Sequence, residues 1–512
     1  MRRLDRRSLL KSGAAAGILA ATGLPMHAAP KRGGVLRLGV AGAHSSDSWD
    51  SRRHIDAFMV MVGHGAVFDT LTQIAASGEL IGELAESWEA SADAKSWTFK
   101  LRKGVEFHNG KPFEAEDVID SLRMHLDANA ASPVRAIVSS ITEMQRNGAH
   151  EVKFTLAAPN ADFPFLLADY HLCIYPAGHI AEAMQHGIGT GLYQVIRFEP
   201  GKRAMLARVK DHYKDGKEGW FDAVELIAMN DPAQRMNALM RGQVDAVNQV
   251  DLQQKSKLLS NSKLKLAEVT GNQHFSFPMR ADQAPFHDIN LRRALKHAIN
   301  RPQLVQSVLN GHGQVAHDHP IGPANQYYAA DLTGHDYDPD KARHYLRRAG
   351  VAELDLQISD VAFPGAAQAA DLFRASAADA GVTVHIQPSN ADGYWQETWA
   401  NAAWRTSGWS GRATEDWMFS ASSQTGAAWN ETQWDNAHFQ QLLLAARAEL
   451  STSKRRAMYH EMQALMSDEG GALIPMFANF VDAHHSRLTY GVKLGNLHQM
   501  DSGRMIERWW FT

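Results

Sequence analysis

Leu84-Ala-Glu-Ser-Trp-Glu-Ala-Ser91 and, a short step on, Trp97-Thr-Phe-Lys-Leu-Arg-Lys-Gly-Val-Glu-Phe-His-Asn-Gly-Lys-Pro-Phe-Glu-Ala-Glu-Asp-Val118 form the most informative run in the chain. From Ser96 the large residues Trp97, Phe99 and Leu101 alternate with Ser96, Thr98 and Lys100, the period of a strand with one buried face. Glu114-Ala-Glu-Asp-Val-Ile-Asp120 then predicts a helix start, with acids in the first turn where the macrodipole favours them. Upstream, residues 33–41 read as a short strand entered by a glycine turn. Downstream, 151–156 alternates again, and 191–208 predicts two strands joined at Glu199-Pro200-Gly201. Helices are predicted over 231–242, closing on Gly242, and over 291–309, ending at Asn310-Gly311. A third helix is announced by Asp338 as cap, Pro339 at the first helical position and Gly350 at the close. Strands and helices alternate throughout, which predicts an α/β fold. There is no internal repeat, low-complexity tract or Gly/Ser/Pro linker, so the domains are expected to interweave.

The chain has 512 residues, 45% of them hydrophobic and 21% charged, a globular composition long enough for two to four domains. Its first 29 residues read as an export signal instead of fold. Arg6-Arg7-Ser8-Leu9-Leu10-Lys11 precedes a mild apolar run over 12–24, too short to span a bilayer. The paired arginines give it a twin-arginine look, with cleavage expected near Ala28 or Ala29. Removing residues 1–29 takes five basic residues and one acid, which carries the formal net charge from −4 to −8. An acidic balance of this size suits a soluble protein and argues against a nucleic-acid partner. No other stretch approaches transmembrane length, so the chain is not itself a channel. Cys173 is the sole cysteine; it excludes an internal disulfide and reads as a small buried hydrophobe.

Signatures of catalysis are incomplete wherever they begin. Gly311-His-Gly-Gln has dinucleotide-fingerprint spacing but follows a helix end, not a strand. The run from Gly104 to Lys111 continues into Pro112, so the Ser/Thr that would meet magnesium in a P-loop is missing. His460-Glu461 lacks the second histidine of a zinc-protease helix, and Gly408-Trp-Ser-Gly411 is one residue short of a nucleophile elbow. The histidines are numerous, 25 in all, with His312, His317 and His319 close together and His484-His485 adjacent. Imidazoles so spaced can bind zinc or nickel, but a polar, histidine-rich surface accounts for them more simply. The expectation is a binding protein, with no enzyme activity, cofactor or structural metal.

Many collinear motifs place residues 33 to 510 in resemblance to the extracytoplasmic solute-binding proteins of family 5, which serve ABC importers of oligopeptides, dipeptides and nickel. Besides the run quoted first, these are Gly189-Thr-Gly-Leu-Tyr193 with Glu199-Pro-Gly201, Pro285-Phe-His-Asp288, and Arg292-Arg-Ala-Leu-Lys-His-Ala-Ile-Asn-Arg301. Tyr337-Asp-Pro-Asp-Lys-Ala342, Lys454-Arg-Arg-Ala-Met-Tyr-His-Glu-Met-Gln463 and Leu473-Ile-Pro-Met-Phe477 continue the match. The resemblance implies a periplasmic binding protein type II-like α/β fold, with two lobes on a hinge and an extra domain. Domain I would comprise 30–55, 175–270 and 485–512; domain II, 56–174; domain III, 271–484. It implies a monomer in the periplasm that captures a peptide or peptide-like solute and delivers it to an ABC permease at the inner membrane. A receptor for a nickel or zinc chelate, or for an opine-like acidic conjugate, is the alternative on the same fold.

The ligand region is suggested by the residues themselves. Seven of the thirteen tryptophans, Trp395, Trp399, Trp404, Trp409, Trp417, Trp429 and Trp434, fall within forty positions, interleaved with Arg405, Arg412, Glu415, Asp416 and Asn430. Tryptophan offers a large rigid apolar area with one donor, and charges among aromatics fix the ends of a zwitterion. The expected contacts are Trp404, Trp409, Arg412, Glu415, Asp416, Trp417 and Asn430, with Ser45, Ser46 and Asp47 approaching from the opposing lobe. In peptide-binding relatives a Trp-x-x-Asp element places its acid against the peptide amine; here Trp409-Ser-Gly-Arg412 puts arginine at that position. A guanidinium repels an ammonium and forks onto a carboxylate. Either Glu415 or Asp416 takes the amine instead, or the ligand presents an anionic or blocked group to Arg412.

Overall fold

The fold is set by caps and alternation that the sequence largely announces. The structure is a computed structural model that describes residues 29–127, 129–351 and 353–512; but for Ala29, the expected export signal lies outside the described residues. Glu114 and Asp117 form a reciprocal capping box at the start of Ala115–Arg123. Asp231 caps Pro232–Met240, and Asp338 caps Pro339–Ala349, which ends on Gly350 in the left-handed region at φ 70°. The single helix expected over 291–309 is two helices, Ile289–Ala298 and Arg301–Val308. Pro302 has no N–H to offer the preceding turn and its ring crowds the carbonyl four residues back. The chain therefore extends at Ile299 (φ −98°, ψ 126°), and Asn300 caps the second helix by accepting from Gln303 N.

Strand Val35–Val40 is the centre of the largest sheet, which has nine strands. It runs parallel to Ala223–Ala228, with Leu38 opposite Leu226, and to Ala246–Val247. The expected hairpin Tyr193–Glu199 and Arg203–Arg208 extends one side. On the other, Met476–His485 pairs with Ala246–Val247, with Gly313–Val315 and with the thirteen-residue strand Leu264–Ser276, and Ser407–Trp409 closes the edge. A second sheet, wholly antiparallel, has the order Ala85–Ala90, Ser96–Leu101, Glu151–Leu156, Ile141–Arg146. Glu353–Ile358 and Thr383–Pro388 make a parallel pair joined by helix Ala366–Asp379.

Three large hydrophobic cores underlie these layers. One gathers Leu36, Leu38, Phe58, Tyr193 and Trp509; a second Phe99, Leu122, Phe154 and Phe163; a third Phe277, Leu291, Phe373 and Trp404. The extended segment 172–175 serves two of them at once. Leu172 and Ile174 point into the second core and Cys173 and Tyr175 into the first, so the two-residue alternation of extended chain joins the two cores. Cys173 is buried, as its apolar reading requires.

Beside that junction lies a buried ionic network. Lys214 Nζ is 2.7 Å from both Asp69 Oδ1 and Glu83 Oε1 and 2.8 Å from Glu507 Oε1, and Arg504 Nη1 donates to Glu83 at 2.8 Å. Burial opposes the ammonium, yet Asp69, Glu507 and Glu83 outweigh it and hold the Lys214 pKa well above its ordinary value. Those three acids are the sole grouping of metal-ligand type among the described residues, and Lys214 already occupies its centre. Of the histidines weighed for a metal, His312 meets Glu268 at 2.9 Å, and Asp318, which stands between His317 and His319 in the chain, pairs with Arg301 at 2.7 Å. No helix among the described residues is long and apolar enough to cross a membrane.

Candidate functional site

A short turn between an edge strand and a helix carries the site. Ser407–Trp409 pairs with the end of Leu264–Ser276, placing Trp409 opposite His274. The chain then turns at Gly411, whose φ of +81° only glycine adopts at low cost. A Cβ there would lie 2.3 Å from Asn272 Cβ, so the backbone also needs the space. Asn272 Nδ2 and Asn325 Nδ2 donate to the Arg412 carbonyl at 3.0 and 3.2 Å, and Thr414 caps the helix Glu415–Ser422. The turn is thereby fixed from both flanks and carries Arg412 to a cavity that it shares with residues 168–171.

Three indoles surround the Arg412 guanidinium, with ring centroids of Trp409, Trp417 and Trp429 at 5.6, 5.6 and 5.5 Å. Its Nη1 donates to the Gly411 carbonyl at 2.7 Å, and no carboxylate among the described residues pairs with it. Burial lowers its pKa, offset in part by Tyr170 and Asp169 across the gap. The result is a partly desolvated fork with most of its donors unspent.

Arg412 stands where two spaces meet. A cavity of about 340 Å³ lies between the Asn272, Arg412 and Trp417 side and a facing wall of Val134, Phe165 and Asp169–His171, with His64, His498 and Arg504 beneath. A more open compartment of about 420 Å³ adjoins it, walled by Trp395, Trp399, Trp409 and Trp429. Ser410, Arg412 and Trp429 line both. These dimensions are those of small-molecule sites. On the facing wall the Asp169 carboxylate accepts from His171 N at 2.9 Å and meets His171 Nδ1 at 2.6 Å. The Tyr170 phenol, pushed up by burial and by Asp169, stays protonated at neutral pH. Below, Arg504 Nη2 is 2.8 Å from His64 Nε2, so that nitrogen accepts and the imidazole is neutral; burial and then Arg504 hold its pKa well below normal.

Of the residues expected from sequence, Trp409, Arg412 and Trp417 line these spaces. The other seven are placed elsewhere. Trp404 packs into the third core against Phe286 and Phe373, at ring distances of 5.8 and 5.5 Å. Asp416 is paired with Arg447 at 2.9 Å, and burial nevertheless raises its pKa to about 6. Glu415 accepts from Tyr327 N, and burial pushes it to about 7. Asn430 is buried and donates to the Trp434 carbonyl at 3.3 Å. Ser45 and Ser46 are exposed in the loop after the first strand, where Asp47 accepts from His44 N at 2.9 Å; none of the three lines either space. Asp169, Tyr170, His171, Asn272 and His498 join the site with no sequence signal pointing to them. So does Glu431, whose buried carboxylate accepts from Trp399 Nε1, Trp409 Nε1 and Ser407 Oγ at 2.8, 3.1 and 2.6 Å.

Comparison with known proteins bears on this geometry. A family model described as bacterial extracellular solute-binding proteins, family 5, middle region, matches residues 79–431. The chain is 26% identical over 438 residues to the dipeptide-binding protein of Escherichia coli K12, covering 77% of this chain and 80% of that one. HbpA2 from Haemophilus parasuis superposes with a TM-score of 0.81 at 21% identity, over 89% of this chain and 96% of the other. The periplasmic binding protein DppA from Helicobacter pylori, solved with the peptide STSA, gives a TM-score of 0.73 at 21% identity, over 94% and 99%. At that identity the structural likeness carries the fold, which is the two-lobed α/β fold of periplasmic binding proteins.

Proposed function

Since the chain belongs to family 5 of the bacterial extracellular solute-binding proteins, whose members bind ligands for ABC permeases, we propose that it captures a small peptide-like acid between its lobes with Arg412 as the carboxylate anchor. The observation that carries this reading is the guanidinium itself, half-buried among three indoles, with no acid paired to it among the described residues. A ligand carboxylate completes such a fork with charge-assisted hydrogen bonds, whereas an ammonium is repelled. Asp169, across the same cavity, is the acid placed to face an amino group at the other end of the solute. The dipeptide-binding name of the Escherichia coli relative supports the peptide class; an opine-like acidic conjugate satisfies Arg412 equally. We place the protein in the periplasm as a monomer that closes its lobes on the ligand and releases it unchanged. The domain boundaries at 30–55, 175–270 and 485–512, at 56–174 and at 271–484 are part of this proposal; the separate cores support three bodies, although Phe58 and Val62 pack into the first core.

Thermal-shift titration of alanyl dipeptides as free acids and as C-terminal amides tests the reading. A one-site ligand at a hundredfold its Kd adds about 2.7 kcal/mol of stability. Free acids are expected to raise the melting temperature, and their amides at the same concentration to raise it far less. Equal shifts from acids and amides remove Arg412 from the anchoring role, and shifts from nickel or zinc alone transfer the site to a metal or its chelate.

A further inference from the structure

The open compartment beyond Arg412 is built more firmly than chance exposure of aromatic residues requires. Trp399 and Trp409 both donate their indole N–H to Glu431, which also takes the Ser407 hydroxyl. The Glu431 carbonyl is held in turn by Arg405 Nη2 at 2.7 Å. One buried acid thus locks two ring planes. In front of them stand two indoles that remain open to solvent, Trp395 at 39% and Trp429 at 51% exposure. Each is backed by a locked partner: the Trp395 ring is 6.2 Å from Trp399, and the Trp429 ring 6.0 Å from Trp409. Large aromatic faces left in water are unfavourable unless something covers them. Here they surround about 420 Å³ of space whose inner corner is Arg412.

From this arrangement we propose that the compartment is a second subsite, which takes a planar aromatic side chain next to the carboxylate that Arg412 holds. The preferred solute is then a peptide-like acid with an aromatic residue at its carboxyl end. The inference rests on the carboxylate reading of Arg412. Four indoles present flat faces and edges, to which an aromatic ring adds stacking and edge contacts beyond the area an aliphatic chain covers. A cationic side chain is disfavoured because Arg412 already occupies the shared corner. The shared lining identifies the occupant as part of the same ligand: Ser410, Arg412 and Trp429 border both spaces, so a group held by Arg412 lies beside the aromatic plates.

Calorimetric titration with Ala-Trp, Ala-Leu and the amide of Ala-Trp, on the wild type and on Trp395→Ala, separates the two claims. Trp395 lies outside the group around Arg412, so its removal leaves the anchor in place. Wild type is expected to bind Ala-Trp at least tenfold more tightly than Ala-Leu, and Trp395→Ala to reduce that ratio below about threefold. A ratio near one in wild type, or an undiminished ratio in the variant, overturns the subsite. The amide reports on Arg412 alone: if it binds as tightly as the acid, the anchor fails whether or not the aromatic preference stands. If none of the three binds, both claims fall.

Discussion

Replacing Glu431 with glutamine keeps the shape of the side chain and removes its charge, and the hydrogen bonds around it set the cost. One carboxylate oxygen accepts from Trp399 Nε1 at 2.8 Å and Ser407 Oγ at 2.6 Å; the other accepts from Trp409 Nε1 at 3.1 Å. A glutamine amide offers a single acceptor oxygen. Turned toward Trp399 and Ser407, it presents its NH2 to the Trp409 N–H, donor against donor. The two retained bonds fall from the charged to the neutral class, losing about 1 kcal/mol each, and the orphaned indole N–H costs about 1–3 kcal/mol more. Removing a buried charge recovers some desolvation, so a net loss of about 2 kcal/mol is expected. Urea unfolding of Glu431→Gln beside wild type, followed by tryptophan fluorescence and circular dichroism, measures it. The loosened plates should also cut the preference for Ala-Trp over Ala-Leu. Stability within about 0.5 kcal/mol of wild type, the range of an ordinary surface substitution, would refute the idea that this acid holds the aromatic wall.

Other consequences separate packing from binding and concern pH. Trp404→Ala should cost about 3–5 kcal/mol of stability, because the ring is buried against Phe286 and Phe373. Trp417→Ala, at a half-buried ring beside Arg412, should chiefly weaken ligand binding; urea unfolding and calorimetry on both variants check the contrast. His54 is buried with its Nε2 at 3.1 Å from the Ser48 carbonyl, and burial holds its pKa at about 4. A folded-state pKa below that of the unfolded chain gives stability that is complete above about 6.5 and lost as pH falls toward the folded value, about 2 kcal/mol between pH 7 and pH 5. His54→Gln, which retains a donor, should shrink the stability difference between those pH values by that amount in urea titrations; an unchanged difference would contradict it.

What the sequence disclosed was local, and what it concealed was long-range. The helix after Glu114 and the helix framed by Asp338 and Gly350 appear where their caps predict. The break at Pro302 was available from proline chemistry alone, but the continuous apolar pattern on both sides of it reads as one helix. Ala85–Ala90 shows no clear alternation because a bulge between Ala85 and Ser87 resets its register and most of one sheet face is exposed. At the site, Arg412 and its tryptophans are close in sequence, so composition alone brings them to notice. Asp416 looks like a ligand acid until the helix Ala437–Ala448 supplies Arg447 to neutralise it. Asp169 and Tyr170 reach the cavity from more than two hundred positions away, and nothing in their own neighbourhood announces it.

Ligand capture of the kind proposed depends on Arg412 acting as a charged fork for a carboxylate, and a paired calorimetric cycle measures that directly. Ala-Trp and its amide are titrated into wild type, Arg412→Lys and Arg412→Gln. Arg412→Gln should weaken the free acid by about 3 kcal/mol, roughly a hundredfold or more in Kd, and leave the amide within about threefold. Arg412→Lys should fall between, since it keeps the charge and loses the bidentate geometry. If Arg412→Gln weakens acid and amide by the same factor, the residue only packs among its tryptophans and the carboxylate anchor is contradicted.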